Sequence, residues 1–153
     1  MSIDERLAAL EIRLPESIKP VGSYVAVRIE GGLAFVSGMI PVVDGLLVQR
    51  GRVGAEVTTE TACELARICA INALGALKAA LGDLGRIRGV VMVQGFVQCV
   101  QEYHDVPKVI NGASDLLVAV FGDAGRHARF AVGVLSLPMD APVEIAFTVA
   151  IVP

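Results

Sequence analysis

The sequence predicts an α+β fold: one mixed β-sheet with two long helices packed on one of its faces. Three observations lead there. Short runs with strand-like alternation stand at the beginning, middle and end of the chain, and two longer runs with helical periodicity lie between them. Gly or Pro punctuates the junctions. The resulting order is ββ(β)αβαββ. A helix between two strands is a crossover onto a shared sheet, right-handed by rule.

The elements follow in order. Ser2-Ile3-Asp4-Glu5 has the S-x-x-E form of a capping box, so a short helix is expected to about Leu10, with Ile3, Leu7 and Leu10 on one face. Pro15 and Pro20 bracket a loop. Val25, Val27 and Ile29 alternate with smaller or polar residues, Gly31-Gly32 intervenes, and Leu33–Ser37 resumes the pattern, which is a hairpin signal. That hairpin ends at Gly38, and Leu46-Leu47-Val48 reads as one more short strand. Thr58 or Thr59, followed by Glu60, opens a long helix that Gly82-Asp83 closes. Its stripe is Cys63, Ala66, Ala70, Leu74, Leu77 and Leu81, and its polar edge is so narrow that most of the circumference is expected to be buried.

Val90–Val100 alternates as a long strand. Asp105 is placed to cap the second long helix, with Pro107 in its first turn and Gly122 ending it. Phe130–Leu137 and Val143–Ile151 are the last strands, separated by a turn with Pro138 and Pro142.

The 153 residues suit one domain, 1–153, with residues 1–20 as an N-terminal helix and loop extension. Composition is unusual: 54% hydrophobic, 5% aromatic and no Trp. Mean hydropathy is +0.66. The longest stretches free of charge, Gly31–Val43 and Gly89–Gln101, fall short of the roughly 18 residues a bilayer span needs. With no apolar signal core after Met-Ser-Ile-Asp-Glu-Arg, the expected compartment is the cytoplasm, without membrane association. The excess of aliphatic side chains points to burial against another subunit. Thirteen basic and sixteen acidic residues give a net charge of -3, which argues against neutralising nucleic-acid phosphates. The three cysteines lack CxxC spacing and read as buried free thiols.

No dinucleotide, Walker, zinc-protease or nucleophile-elbow motif is present, and no cofactor or metal is expected. His104 and His127 are too far apart for a local metal-ligand motif, and His127 reads as a solvated loop histidine. Arg129 enters an apolar strand directly and needs a carboxylate partner, either a protein Glu or Asp or a ligand. Glu144 is the only charge in the last apolar strand; it either faces water or is half-buried, with its pKa raised toward a range useful for activating water. Tyr24 and Tyr103 could bond a ligand or simply form a rim.

The stretch from Ala128-Arg129 through Leu137-Pro138 to Val143-Glu144-Ile145 resembles the signature of the YjgF/RidA family, also labelled endoribonuclease L-PSP. Gly22-Ser23-Tyr24, Ser37-Gly38-Met39-Ile40-Pro41 and Leu84-Gly85-Arg86-Ile87 fall in the family's order, so the resemblance covers roughly residues 20–153. With its N-terminal helix and the segment Val109–Leu117, the chain looks like a longer branch of that family. The resemblance implies a chorismate-mutase-like fold and a homotrimer whose sheets close into a barrel, with ligand clefts between subunits. It also implies hydrolysis of reactive 2-imino acids to 2-oxo acids and ammonia. Arg129 matches the arginine that grips the substrate carboxylate, and Glu144 the acid that positions or activates water. Tyr24, Ser37, Gly38 and Met39 match cleft-lining positions, and either Ser114 or Asn111 matches a helix asparagine. Met39, Ala131 and Ala146 depart from the usual Gln, Cys and second Glu, which alters the cleft. The alternatives are a non-catalytic trimer that binds a small carboxylate and, ranked below it, a ribonuclease, against which charge, few aromatics and two scattered histidines all speak.

Overall fold

A computed structural model of the chain describes residues 1–16 and 19–153; Ser17 and Ile18, within the loop expected between Pro15 and Pro20, lie outside the described residues. Helix α1 (Ile3–Ala9) carries the expected capping box in both directions. The Ser2 amide donates to Glu5 Oε2 at 2.7 Å and the Glu5 amide to Ser2 Oγ at 3.1 Å. Leu7 is its buried anchor, and Arg6 Nη1 donates to the carbonyl of Val120 at 3.4 Å.

Strands β1 (Val27–Glu30) and β2 (Leu33–Met39) form the expected hairpin. Its turn is Gly31-Gly32, with φ of 57° and 78°, where residues with a Cβ are disfavoured. The short strand expected at Leu46–Val48 is the second arm of a small hairpin, β3 (Val42–Val43) with β4 (Leu46–Leu47), turned by Asp44-Gly45.

Helix α2 (Thr59–Leu81) starts at Thr58, whose hydroxyl accepts from the Thr61 amide at 3.1 Å, and stops at Gly82. Its buried side is wider than the expected stripe. Ala62, Leu65, Cys69 and Ala73 are also inside, while Cys63 lies at the margin, because α2 is covered by the sheet and by the second long helix together. Cys69 is a buried free thiol as expected, whereas Cys63 and Cys99 are only partly buried.

Strand β5 spans Ile87–Gln98, and α3 (Val106–Phe121) follows. Asp105 occupies the N-cap of α3 but makes no capping hydrogen bond; its carboxylate instead pairs with Lys108 Nζ at 3.4 Å. Strand β6 (Ala128–Val134) ends short of Leu137, since the Leu137 amide is taken by Gln98 Oε1 at 2.8 Å. Gln98 Nε2 donates in turn to Gly51 O at 3.0 Å and Asp140 Oδ1 at 2.7 Å, so this buried amide fixes the approach to β7 (Val143–Ile151).

The five-stranded sheet runs β1-β2-β7-β5-β6, antiparallel except for the parallel β5–β6 pair. The C-terminal strand is therefore central. Helix α2 packs over β2 and β7, α3 over β5 and β6, and the two helices touch. One sheet face, with Val36, Phe147 and Val93, is buried beneath them. The other leaves Phe35, Phe130 and Val132 exposed by 43%, 40% and 41%, a set of large apolar side chains without cover in one chain. None of the described helices is long and apolar enough to cross a membrane.

The α2–α3 crossing is close enough that a Cβ at Gly112 would collide with the Cys63 carbonyl. Gly112→Ala is expected to destabilise the fold by at least the 1–3 kcal/mol typical of overpacking, seen as a lower urea midpoint with an unchanged slope.

Candidate active site

Directly paired residues on neighbouring strands point to the same sheet face. Glu144 pairs with Phe96, and Phe96 with Val132, so Glu144 stands on the open face. It is half-buried, and burial holds its carboxyl pKa above the ordinary 4.5. Among the described residues no side-chain or backbone group donates a hydrogen bond to its carboxylate. The β2 strand bulges between Val36 and Met39, carrying Ser37 and Gly38 across the end of Glu144. A Cβ on Gly38 would lie 2.6 Å from Glu144 Oε1, so glycine is what lets the carboxylate occupy this place. Ser37 Oγ donates to the Val25 carbonyl at 2.7 Å, tying the bulge to the segment after Tyr24.

Arg129 is on the opposite face. It pairs with Val93, which pairs with Phe147 on the helix-covered side. At the sheet edge its guanidinium reaches α3: Nη1 donates to Ser114 Oγ at 3.1 Å and Nη2 to Pro107 O at 3.3 Å. Both acceptors are neutral. No ion pair among the described residues includes Arg129, so the protein Glu or Asp weighed as its partner is absent there. Two of its five N–H donors are used by these bonds, which orient the fork while leaving its charge and remaining donors for a ligand.

Ser114 is thereby distinguished from Asn111, which is exposed on the same helix. His127 was not legible as part of this group. Its Nδ1 lies 2.6 Å from Gly125 O and its Nε2 lies 2.9 Å from Ser114 Oγ. Because a carbonyl only accepts, Nδ1 carries a proton; with a neutral ring, Nε2 accepts from the Ser114 hydroxyl, whose oxygen accepts from Arg129. The available signal was position: His127 stands immediately before β6, two residues ahead of Arg129.

Tyr24, Ser37, Gly38 and Met39 line one cavity of about 430 Å³ between the β2 bulge, α2 and the N-terminal segment. Arg129, Ser114 and His127 do not line it. Tyr24 is exposed at its rim, with no hydroxyl bond to any described residue, and Met39 turns inward against the core. Tyr103 is committed elsewhere, its hydroxyl 2.6 Å from Thr59 Oγ1. One chain thus carries two separated half-sites, a carboxylate beside a cavity and a guanidinium without an ion-pair partner among the described residues. Among the described residues no group of three metal-ligating side chains assembles.

Residues 4–149 match the family model described as "YjgF/chorismate mutase-like, putative endoribonuclease". The chain is 41% identical to "Protein TCP17" of Trypanosoma cruzi over 140 residues, covering 91% of this chain and 88% of that protein. It is similar to the crystal structure of protein Atu1372, of unknown function, from Agrobacterium tumefaciens, with 45% identity, a TM-score of 0.90, and coverage of 97% of this chain and 91% of that one. It is also similar to that of a "putative endoribonuclease" from Shewanella oneidensis, with 31% identity, a TM-score of 0.95, and coverage of 99% and 100%.

Proposed function

Since the chain belongs to the YjgF/chorismate mutase-like family, we propose that it hydrolyses reactive 2-imino acids, or their enamine tautomers, to 2-oxo acids and ammonia. The reaction takes place at clefts between the subunits of a homotrimer. The observation that carries this reading is a pair of charges unsatisfied among the described residues: an oriented guanidinium with no carboxylate partner there and a half-buried carboxylate with no donor there. They sit on opposite faces of one sheet, so a single substrate meets both only where the open face of one subunit adjoins the β6 edge of another. The uncovered Phe35, Phe130 and Val132 favour that association, because closing three sheets about a threefold axis removes them from water.

In this cleft Arg129 holds the substrate carboxylate in a charge-assisted bond worth about 1.5–3 kcal/mol. Water adds to the imine carbon while Glu144 takes a proton from it. Glu144 then returns that proton to nitrogen. As the carbon–nitrogen bond breaks, the new hydroxyl gives up its proton to the departing ammonia, and a 2-oxo acid and ammonium result. An iminium is already polarised, so a placed water and a proton acceptor suffice, and a carboxylate with a raised pKa is the better acceptor.

The test is ammonia release from freshly generated 2-aminoacrylate. Wild-type protein is expected to exceed buffer, and Arg129→Ala to raise KM about 10- to 100-fold, following the energy of the lost bond. Wild-type release no faster than buffer overturns the activity. Thermal stabilisation by 2-oxobutanoate that requires Arg129, without turnover, identifies the non-catalytic binding trimer instead. The ribonuclease of the family's name is disfavoured by the net charge of -3 and by only five Phe and two Tyr available for base stacking.

Gly38→Ala probes the contact between the bulge and the carboxylate. The new methyl meets the flexible end of Glu144, which swings aside. Turnover is expected to fall at least about tenfold, while the unfolding free energy stays within about 1 kcal/mol of wild type.

A further inference from the structure

We infer that the cavity behind the β2 bulge receives the substrate's side chain, and that the preferred substrates are 2-imino acids with branched aliphatic or aromatic side chains. This inference rests on the proposed function and specifies its substrate class.

Position comes first. Gly38 is shared: it forms part of the cavity wall, and the Glu144 carboxylate lies against the place where its Cβ would be. An imine carbon held at Glu144 therefore has its remaining substituent directed past Ser37 and Gly38 into the cavity.

Size and chemistry follow. A cavity of about 430 Å³ lies within the range of about 300–1,000 Å³ typical of small-molecule sites. A methyl or ethyl side chain would leave most of it unfilled, whereas an isobutyl group or a ring would touch several walls. Those walls are mainly apolar: Met39, Ile40 and Val42 from the bulge and β3, Ala76 from α2, and Pro20 and Val21 from the N-terminal segment. Glu16 and Lys19 supply its charges, both outside the elements of the sheet and helices. On α2, Asn72 is occupied in construction. Its Nδ2 donates to Ile40 O at 3.1 Å and Val42 O at 3.0 Å, holding the bulge and β3 at their distance from the helix.

The N-terminal wall is anchored at both sides of α1. Leu7 and the Arg6–Val120 bond dock α1 on the core, and Lys78 Nζ pairs with Asp4 Oδ1 at 3.6 Å. Beyond α1, Pro15 seats against α2 where Gly75 has no side chain; a Cβ there would lie 2.7 Å from Pro15 O. The extension thus acts as one side of a specificity pocket.

Calorimetric titration with the stable products tests this without requiring turnover. Pyruvate, 4-methyl-2-oxopentanoate and phenylpyruvate share the carboxylate and differ in the side chain. Affinity is expected to rise at least about tenfold from pyruvate to either larger acid, the discrimination that added carbons command in an apolar pocket. The kcat/KM for imines generated in place from leucine and from alanine by an amino-acid oxidase should follow the same order. Val42→Phe, which fills the cavity from β3, should reduce the preference to about threefold or less, and Ala76→Leu does the same from α2. If pyruvate binds with dependence on Arg129 but affinity is flat or falls with side-chain size, the inference is overturned and the proposed function stands. If no 2-oxo acid binds and no ammonia is released, both fall together. The wild-type series decides the matter even if neither variant folds.

Discussion

At substrate well below the wild-type KM, mixing Arg129→Ala subunits with Glu144→Gln subunits is expected to restore about a quarter of wild-type activity from two preparations that each retain about a tenth or less. This expectation combines the proposed trimer with the strand registers. Arg129 shares a face with Val93 and Phe147, and Glu144 shares the other face with Phe96 and Val132. A cleft that uses both takes one from each of two neighbouring subunits. In a randomly reassembled trimer, about half of the subunits retain Arg129 and about half of their neighbours retain Glu144, so about one site in four is intact. The measurement is ammonia release after joint unfolding and refolding at equal ratio, with each variant refolded alone as the control. A mixture no more active than its parts would place both residues of a working site in one chain and contradict the proposed cleft.

Glu144→Gln is expected to be nearly inactive yet more stable than wild type at neutral pH. Loss of a general base costs about 10²- to 10⁴-fold in rate, and Gln keeps the shape that fits beside Gly38. The stability gain follows from the direction of the pKa shift. Burial raises the Glu144 pKa above 4.5, so the folded state binds this proton more tightly than the unfolded state. Below 4.5 the residue is protonated in both states and carries no penalty. As pH rises from 4.5 through the raised folded value, folding increasingly opposes ionisation, and wild-type stability falls relative to the variant. Denaturation midpoints from pH 4 to pH 8 should therefore diverge in favour of Glu144→Gln. Parallel curves would show that Glu144 is fully hydrated. If Glu144 is the proposed base, the same proton is expected to set the acid limb of turnover in the wild type, placed above the range of an exposed carboxylate.

Much of the fold was legible because its signals are local. The Ser2–Glu5 capping box, the Gly31-Gly32 turn and the Thr58 and Gly82 helix ends each act within a few residues. The discrepancies have non-local causes. Asp105 occupies the N-cap but pairs with Lys108, and β6 stops early because Gln98, distant in sequence, captures the Leu137 amide. His127 is a loop residue as expected but not a solvated one, because its partners, Ser114 and Gly125, approach it only when α3 lies against the β6 edge.

The candidate site divides in the same way. That Arg129 and Glu144 are charges interrupting apolar strands is a property of the sequence alone, as are the α+β class, the element order and the surplus of aliphatic surface. Alternation establishes that a strand has two faces, but it carries no information about which strands become neighbours. Inserting β7 between β2 and β5 is a tertiary event, and it brings Glu144 under the Gly38 bulge while leaving Arg129 on the far side of the sheet, against α3. The physical reason is that side-chain period is set by backbone geometry within a strand, whereas pairing is set by the burial of whole faces, which only the assembled sheet and helices determine.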